Sequence, residues 1–207
     1  MIDARLLPLQ AQLLAPVAGW LAARGVKADT LTLAGFTLGA LAVPALAAGM
    51  TGLALLLILS NRIIDGLDGA VARIAGPTDR GAFLDIALDF VFYALVPLGF
   101  ALLDPARNAL AACALVVAFV GTGSSFLAFA TIAAKTGRRA TEYPTKGIYY
   151  LGGLTEGTET IAVFVAMCLF PSAFVPLAWG FAAACALTTL LRWLQGWRAF
   201  AVPPRQR

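Results

Sequence analysis

The stretch NRIIDGLDGAVARIAGPTDRGAFLDIALD, residues 61–89, places carboxylates in a chain that is otherwise mostly apolar. Four of its aspartates form two pairs: Asp65 and Asp68 are three residues apart, and Asp85 and Asp89 are four apart. On a helix, each of these spacings puts both members of a pair on one face. A glycine–proline turn separates the pairs, so we expect a helical hairpin on which the two pairs can face each other.

The composition is that of an integral membrane protein. Of the 207 residues, 60% are hydrophobic and 13% are charged, and the mean hydropathy is +0.85. A soluble domain is about 45–50% apolar and about 25% charged, so this excess cannot fit inside a soluble core. The basic balance, 15 Lys and Arg against 11 Asp and Glu, fits cytoplasmic loops better than nucleic-acid binding. We therefore expect the lipid bilayer, and no nucleic acid, as a partner.

Six apolar stretches approach the length of about 20 residues that a spanning helix needs. They predict an all-α fold, a polytopic membrane bundle of six transmembrane helices preceded by an interfacial amphipathic helix. The six stretches are residues 30–49, 52–73, 81–103, 108–134, 157–176 and 177–198.

The N-terminal segment, residues 1–25, has apolar residues interrupted by prolines and arginines. This pattern predicts one or two short helices in the membrane interface, and the alternative is a seventh, poorly formed span. Residues 26–198 would then form the membrane domain and residues 199–207 a cytoplasmic tail. With the N-terminus in the cytoplasm, nearly all loop Lys and Arg lie on the cytoplasmic side, as the positive-inside rule expects. We expect a bacterial inner (plasma) membrane protein.

Four carboxylates brought together repel one another unless cations lie between them. Magnesium or manganese suits such hard oxygen ligands, and helix bundles commonly build metal sites from facing carboxylates. The alternative is a set of salt bridges to Arg62, Arg73 and Arg80, which accounts for one or two of the charges. Gly66 and Gly69 leave backbone bare beside the carboxylates, either for a bulky ligand or for helix packing. Since the chain has no histidine, a carboxylate is the expected proton acceptor.

The segment DGLDGAVAR, seven further residues and then GAFLDIALD resembles the signature of the CDP-alcohol phosphotransferase (CDP-alcohol phosphatidyltransferase) family. That signature reads D-x-x-D-G-x-x-A-R, a short spacer, and G-x-x-x-D-x-x-x-D. Every fixed position is present in this chain. They are Asp65, Asp68, Gly69, Ala72, Arg73, Gly81, Asp85 and Asp89.

The resemblance implies a reaction and roles for these residues. A CDP-linked lipid, usually CDP-diacylglycerol, would donate its phosphatidyl group to the hydroxyl of a small alcohol, and CMP would leave, in phospholipid biosynthesis at the cytoplasmic face. Two divalent cations, Mg²⁺ or Mn²⁺, and a homodimer are also implied. The implied metal ligands are Asp65, Asp68, Asp85 and Asp89, and Asp89 would also be the general base. The implied CDP-binding residues are Asp29, Thr32, Gly69, Arg73 and Thr78.

Acceptor recognition is expected from the later cytoplasmic segment. Lys135, Arg138 and Lys146 would suit a phosphorylated alcohol, or they are only positive-inside charge. Glu156 and Glu159 would suit a cationic acceptor, or they are favourable charges at a helix N-terminus. The sequence leaves these alternatives open.

Two other classes of function are compatible with acidic membrane helices. A divalent-cation channel or transporter would need acidic residues along a path across the membrane, or broken helices in repeated halves. Here the acidic cluster lies at one end and the halves are not alike. A scaffold that uses its helices only for packing would not need the full signature.

Overall fold

The computed structural model describes residues 3–136 and 154–201, and within these ranges the chain is helical and has no strand. This confirms the all-α bundle that the sequence predicts. The helices are α1 (Asp3–Ala23), α2 (Ala28–Ala40), α3 (Ala42–Ala47), α4 (Thr51–Ala75), α5 (Asp79–Leu103), α6 (Pro105–Lys135), α7 (Gly157–Leu169) and α8 (Phe174–Phe200), with a 3₁₀ turn at Pro171–Ala173.

Four helical stretches among the described residues are long and apolar enough to cross a membrane, with mean hydropathies of 1.7 to 2.2. They are Ala28–Ala47, Asp79–Leu103, Pro105–Lys135 and Pro171–Phe200. Helix α4 has the length, at 25 residues, but it carries the acidic motif. Helix α7 is apolar but has only 13 residues. The chain is therefore a polytopic helical membrane protein, and the count of six crossings stays a prediction.

The N-terminal segment, for which the sequence predicts one or two short helices, forms a single helix of 21 residues, and Pro16 lies inside it. Its Ala18 is fully buried against Ala70 and Val71 of α4. On another face, the Arg24 guanidinium lies 3.5 Å from the ring centre of the exposed Trp20. A proline inside a helix removes one backbone hydrogen bond. The burial of Ala18 against α4 offsets this loss. The α1 helix is not among the stretches apolar enough to cross a membrane.

Aromatic side chains fill the centre of the bundle. Phe100 of α5 and Phe174 of α8 stack with ring centres 4.6 Å apart, and both are fully buried. Phe92 and Phe164 are fully buried in the same cluster, beside Met167. Each such ring removes a large apolar area from its surroundings and packs in a specific geometry. This core joins α5, α7 and α8 below the acidic end of the bundle.

Three junctions between helices set the ends of the spans, and one of them divides a span that the sequence predicts to be continuous. The last two predicted spans are separated by the 3₁₀ turn at Pro171–Ala173. Pro176 lies in the first turn of α8, where a missing N–H costs no helical hydrogen bond. The first expected span is two helices, because the chain leaves the α2 geometry at Leu41 and continues as α3. Helix α4 ends at Ala75, and the φ of 96° at the following Gly76 favours glycine.

Candidate active site

Helices α4 and α5 bring three of the four motif carboxylates together. One oxygen each from Asp65, Asp68 and Asp85 lies within 4.8 Å of the other two. Asp68 is buried, Asp65 is half-buried and Asp85 is exposed. The helical spacing within each pair therefore places the side chains as the sequence predicts, on facing sides of one cleft.

The fourth carboxylate, Asp89, lines the same cleft and is paired with an arginine. Nη2 of Arg62 donates to Oδ1 of Asp89 at 2.7 Å. Nη1 of the same guanidinium lies 3.5 Å from Oδ2 of Asp65. Arg62 thus bridges the two carboxylates from one helical turn before the motif. From the sequence alone, Arg62 is one of three arginines that could form salt bridges with the aspartates. In the structure, Arg62 is the one that pairs with two of the motif aspartates.

Helix α2 forms a third wall of the cleft. Thr32, Gly35 and Phe36 line it together with residues of α4 and α5. A Cβ on Gly35 would lie 3.0 Å from Cγ2 of Ile64, and a Cβ on Gly39 would lie 2.8 Å from the Phe92 ring. These glycines, four residues apart, let α2 approach both partner helices, as small residues do in membrane bundles. The four-residue spacing of these two glycines indicates a helix face that packs closely against its neighbours, and the sequence-based prediction did not include this face.

The residues expected to bind the nucleotide lie in the turns of α2, α4 and α5 next to the lining residues Thr32, Asp68 and Asp85, and we call these turns the rim of the cleft. The Thr32 side chain lines the cleft and donates to the carbonyl of Ala28 at 3.1 Å. Within the part of the chain that the structure describes, a Cβ on Gly69 would meet only Nη1 of Arg73, at 3.5 Å, so the guanidinium of Arg73 lies over bare backbone. Thr78 accepts a hydrogen bond from the Gly81 amide at 3.0 Å and so caps α5.

Asp29 reaches the same rim from the first turn of α2. Its Oδ2 accepts a hydrogen bond from Nε of Arg80 at 2.8 Å, and a Cβ on Gly81 would lie 3.2 Å from its Oδ1. Gly66, in contrast, faces away from the rim, since a Cβ there would lie 2.8 Å from Cδ1 of Leu14 in α1. Of the two bare glycines, Gly69 is open and Gly66 serves packing.

The expected acceptor residues fall into two groups. Glu156 and Glu159 form a capping box at the start of α7, in which the Glu159 carboxylate accepts from the Glu156 amide at 3.1 Å. The sequence left two roles open for these glutamates, binding of a cationic acceptor and a favourable charge at a helix N-terminus. The capping box corresponds to the second role. Lys135 is exposed at the end of α6. Arg138 and Lys146 lie outside the described residues.

The carboxylate cluster fits a divalent cation. Oδ2 of Asp68 is buried and accepts no hydrogen bond from any of the residues that the structure describes. A buried carboxylate oxygen without a partner carries a large desolvation cost, which a cation would offset. Because all three clustered groups offer carboxylate oxygens, they would suit Mg²⁺ or Mn²⁺ as a donor set.

Comparison with known proteins connects this geometry to a family. The family model of CDP-alcohol phosphatidyltransferases matches residues 26–197. The Escherichia coli (strain K12) inner membrane protein YnjF is 54% identical over 182 residues, which cover 88% of this chain and 88% of YnjF. The match at this identity extends far beyond the motif.

The fold is similar to that of the Mycobacterium tuberculosis phosphatidylinositol phosphate synthase PgsA1. The crystal structure of PgsA1 with CDP-DAG bound gives a TM-score of 0.69 at 22% identity, over 95% of this chain and 98% of that chain. The PgsA1 complex with manganese and citrate gives 0.68 at 23% identity, over 94% and 92%. Since the family model spans most of the chain and includes both aspartate pairs, this chain is an enzyme of the CDP-alcohol phosphatidyltransferase family.

Proposed function

We propose that the protein transfers a phosphatidyl group from CDP-diacylglycerol to the hydroxyl of a small alcohol and releases CMP. The observation that carries this proposal is the cleft in which Asp65, Asp68, Asp85 and Asp89 converge beside the open backbone of Gly69. Family membership supports a CDP-linked donor. PgsA1, which shares the fold, was crystallised with CDP-DAG.

Asp65, Asp68 and Asp85 are the proposed ligands for divalent cations, and Asp89 would complete the set. Two such cations, once bound, would neutralise the negative charge that builds up on the diphosphate as it is cleaved. The manganese in a PgsA1 structure supports a divalent ion in this fold. Arg73, exposed above Gly69, would contact a donor phosphate, because its planar fork matches phosphate oxygens.

Asp89 is the proposed general base. It would take the proton of the acceptor hydroxyl as that oxygen attacks the phosphorus of the phosphatidyl group. The bond between this phosphorus and the CMP phosphate oxygen would break, and CMP would leave with the electron pair. A carboxylate is the available base in a chain without histidine, and such groups contribute about 10²–10⁴-fold to rate.

The membrane setting supports a cleft at the cytoplasmic interface. The donor has a water-soluble nucleotide head and acyl tails that stay in lipid, so its reacting bond lies at a membrane surface. The aspartate cluster lies in the last turns of α4 and the first turns of α5, at one end of the bundle. The positive-inside rule assigns that end to the cytoplasm.

The test uses the purified protein in micelles containing CDP-diacylglycerol and Mn²⁺. A panel of glycerol phosphate, inositol, inositol phosphate, serine, ethanolamine and choline is screened for CMP release and for the matching phospholipid. We expect one class of alcohol to accelerate CMP release. Failure of every alcohol to produce a phospholipid, in protein that binds the donor, would overturn the transfer reaction.

A second arm tests the base. Asp89→Asn keeps the size of the side chain and one carbonyl oxygen, but it loses the proton-accepting charge. The expected loss of turnover is about 10²–10⁴-fold, with donor binding largely kept. Turnover of Asp89→Asn at the wild-type rate would assign the proton to another group.

A further inference from the structure

A continuous set of polar contacts runs from the backbone of α2 to the carboxylate of Asp89. Nδ2 of Asn61 donates to the carbonyl of Gly35 at 2.9 Å. Oδ1 of Asn61 accepts from Nε of Arg62 at 2.7 Å. Nη2 of Arg62 in turn donates to Oδ1 of Asp89 at 2.7 Å. The orientation of Asp89 is thereby linked to a helix that carries none of the four motif aspartates.

The guanidinium of Arg62 also lies over two aromatic rings. Its central carbon lies 4.6 Å from the ring centre of Phe92 and 5.6 Å from that of Tyr93. Phe92 is fully buried, and the Arg62 side chain is only 16% exposed. The attraction between a cation and aromatic rings adds to the hydrogen bonds that hold the guanidinium in place.

Each nitrogen of Arg62 has a separate task in this arrangement. Nε donates to Asn61, Nη2 donates to Asp89, and Nη1 donates to the hydroxyl of Tyr93 at 3.5 Å while it also lies 3.5 Å from Oδ2 of Asp65. A lysine would carry the same charge, but its single ammonium on a flexible stem cannot reproduce three directions in one plane. The geometry, and not the charge alone, is thus specific to arginine.

We propose that Arg62 is a positioning residue for Asp89. By occupying Oδ1, it fixes the carboxylate so that Oδ2 is directed to the acceptor hydroxyl. This inference rests on the proposed role of Asp89 as general base. Because an arginine stays protonated at any working pH, the support does not depend on the protonation of Arg62 itself.

The competing role for Arg62 is simple charge neutralisation of the acidic cluster. Arg62→Lys separates the two roles, because it keeps the charge and removes the fixed directions. The positioning role predicts a single-turnover rate lower by about 10–100-fold, the range seen when groups that orient functional ligands are changed. It also predicts an unchanged donor affinity, and thermal unfolding checks that each variant is folded under the assay conditions. Arg107→Lys makes the same chemical change at an exposed arginine in the first turn of α6, whose Nη2 donates to the carbonyl of Ser172 at 2.8 Å, and it should turn over like the wild type.

The decisive measurement is a double-mutant cycle with Asp89→Asn. Residues that act as a unit are not additive, so Arg62→Lys should cost nothing further once Asp89 has lost its charge. Rates are measured in single turnover with CDP-diacylglycerol, Mn²⁺ and the alcohol that is fastest in the panel. An equal loss in both backgrounds, or a wild-type rate for Arg62→Lys, would overturn the positioning role while leaving the proposed reaction intact. A wild-type rate for Asp89→Asn would instead overturn the assignment of the base.

Asn61→Ala provides a second test that leaves every charge in place. It removes the acceptor for Nε of Arg62, so the guanidinium loses one of its directional contacts. We expect a smaller loss of single-turnover rate than for Arg62→Lys, and we expect it to vanish in the Asp89→Asn background. If Arg62→Lys cannot be purified folded, Asn61→Ala decides alone, and turnover at the wild-type rate would reject the proposal.

Discussion

Nε of Arg80 donates to Oδ2 of Asp29 at 2.8 Å, and this ion pair joins the first turn of α2 to the first turn of α5. The Arg80 side chain is 74% exposed, whereas that of Asp29 is 19% exposed. The pair closes the rim of the cleft next to Gly81. The same carboxylate is the one proposed to contact the nucleotide of the donor, so the two roles of Asp29 need to be separated.

Asp29→Asn should weaken binding of CDP-diacylglycerol by roughly tenfold or more, since a hydrogen bond to a charged group contributes about 1.5–3 kcal/mol. Its unfolding free energy should fall by no more than about 1 kcal/mol, because the partner guanidinium is largely in solvent. Donor affinity and thermal unfolding are measured on the same preparation. Arg80→Ala is the matched control, as it breaks the same ion pair and keeps the Asp29 carboxylate. Equal losses of affinity in both variants would mean that Asp29 acts only through the ion pair.

Removal of divalent metal should abolish CMP release, and Mg²⁺ or Mn²⁺ should restore it. Asp68→Asn should raise the metal concentration at half-maximal rate by about tenfold or more, since affinity depends on the number of charged ligands. The Asn amide also cannot replace the buried Oδ2 that accepts no hydrogen bond from the described residues. Asp79→Asn, an exposed aspartate of α5 outside the cluster, should leave the metal titration unchanged. Full activity after thorough chelation would contradict the metal site.

Much of the site follows from sequence because its parts are local. The three- and four-residue spacings fix which face of α4 and of α5 carries the carboxylates, and one short turn connects the two helices. Asp65, Asp68 and Asp85 therefore meet as predicted. The bounds of α4 and α5 also agree with the predicted spans within a few residues.

The parts of the site that the sequence does not predict depend on contacts between segments that are far apart in the chain. Arg62 and Asp89 are 27 residues apart, and Asn61 and Gly35 are 26 apart, so no local period reports either contact. Gly66 looked equivalent to Gly69 in sequence, but α1 covers the former. A partial signal existed, because Arg62 precedes Asp65 by three residues and so lies on the acidic face of α4.

The topology predicts opposite accessibility for the two ends of the later helices. Lys135, at the end of α6, should face the cytoplasm, and Ser172, in the turn before α8, should face outward. Lys135→Cys and Ser172→Cys are made in a chain whose Cys113, Cys168 and Cys185 are replaced. A membrane-impermeant thiol reagent added to intact cells should label only the Ser172 variant at the plasma membrane. Labelling of both variants from the same side would defeat the arrangement of spans.

Close packing of α2 against the site predicts that Gly39→Ala is harmful. The new methyl group would lie 2.8 Å from the ring of Phe92 and 3.0 Å from Cγ of Asn61. Both neighbours are buried and cannot move without cost, so we expect a loss of about 1–3 kcal/mol of stability, as for overpacked cores. Because Phe92 and Asn61 both hold Arg62, turnover should fall as well.

Gly180→Ala is the matched control for this substitution. Gly180 also lies inside a helix, but among the described residues a Cβ there would meet no side chain and no other helix within 4 Å. Alanine should therefore be neutral or stabilise the helix by about 0.5–1 kcal/mol. Unfolding is followed by the reaction of the buried Cys168 and Cys185 with a thiol dye, after exposed Cys113 has been replaced. If Gly39→Ala melts and turns over like Gly180→Ala, then α2 does not press on Phe92 and Asn61, and the support it provides to Arg62 is not needed for turnover.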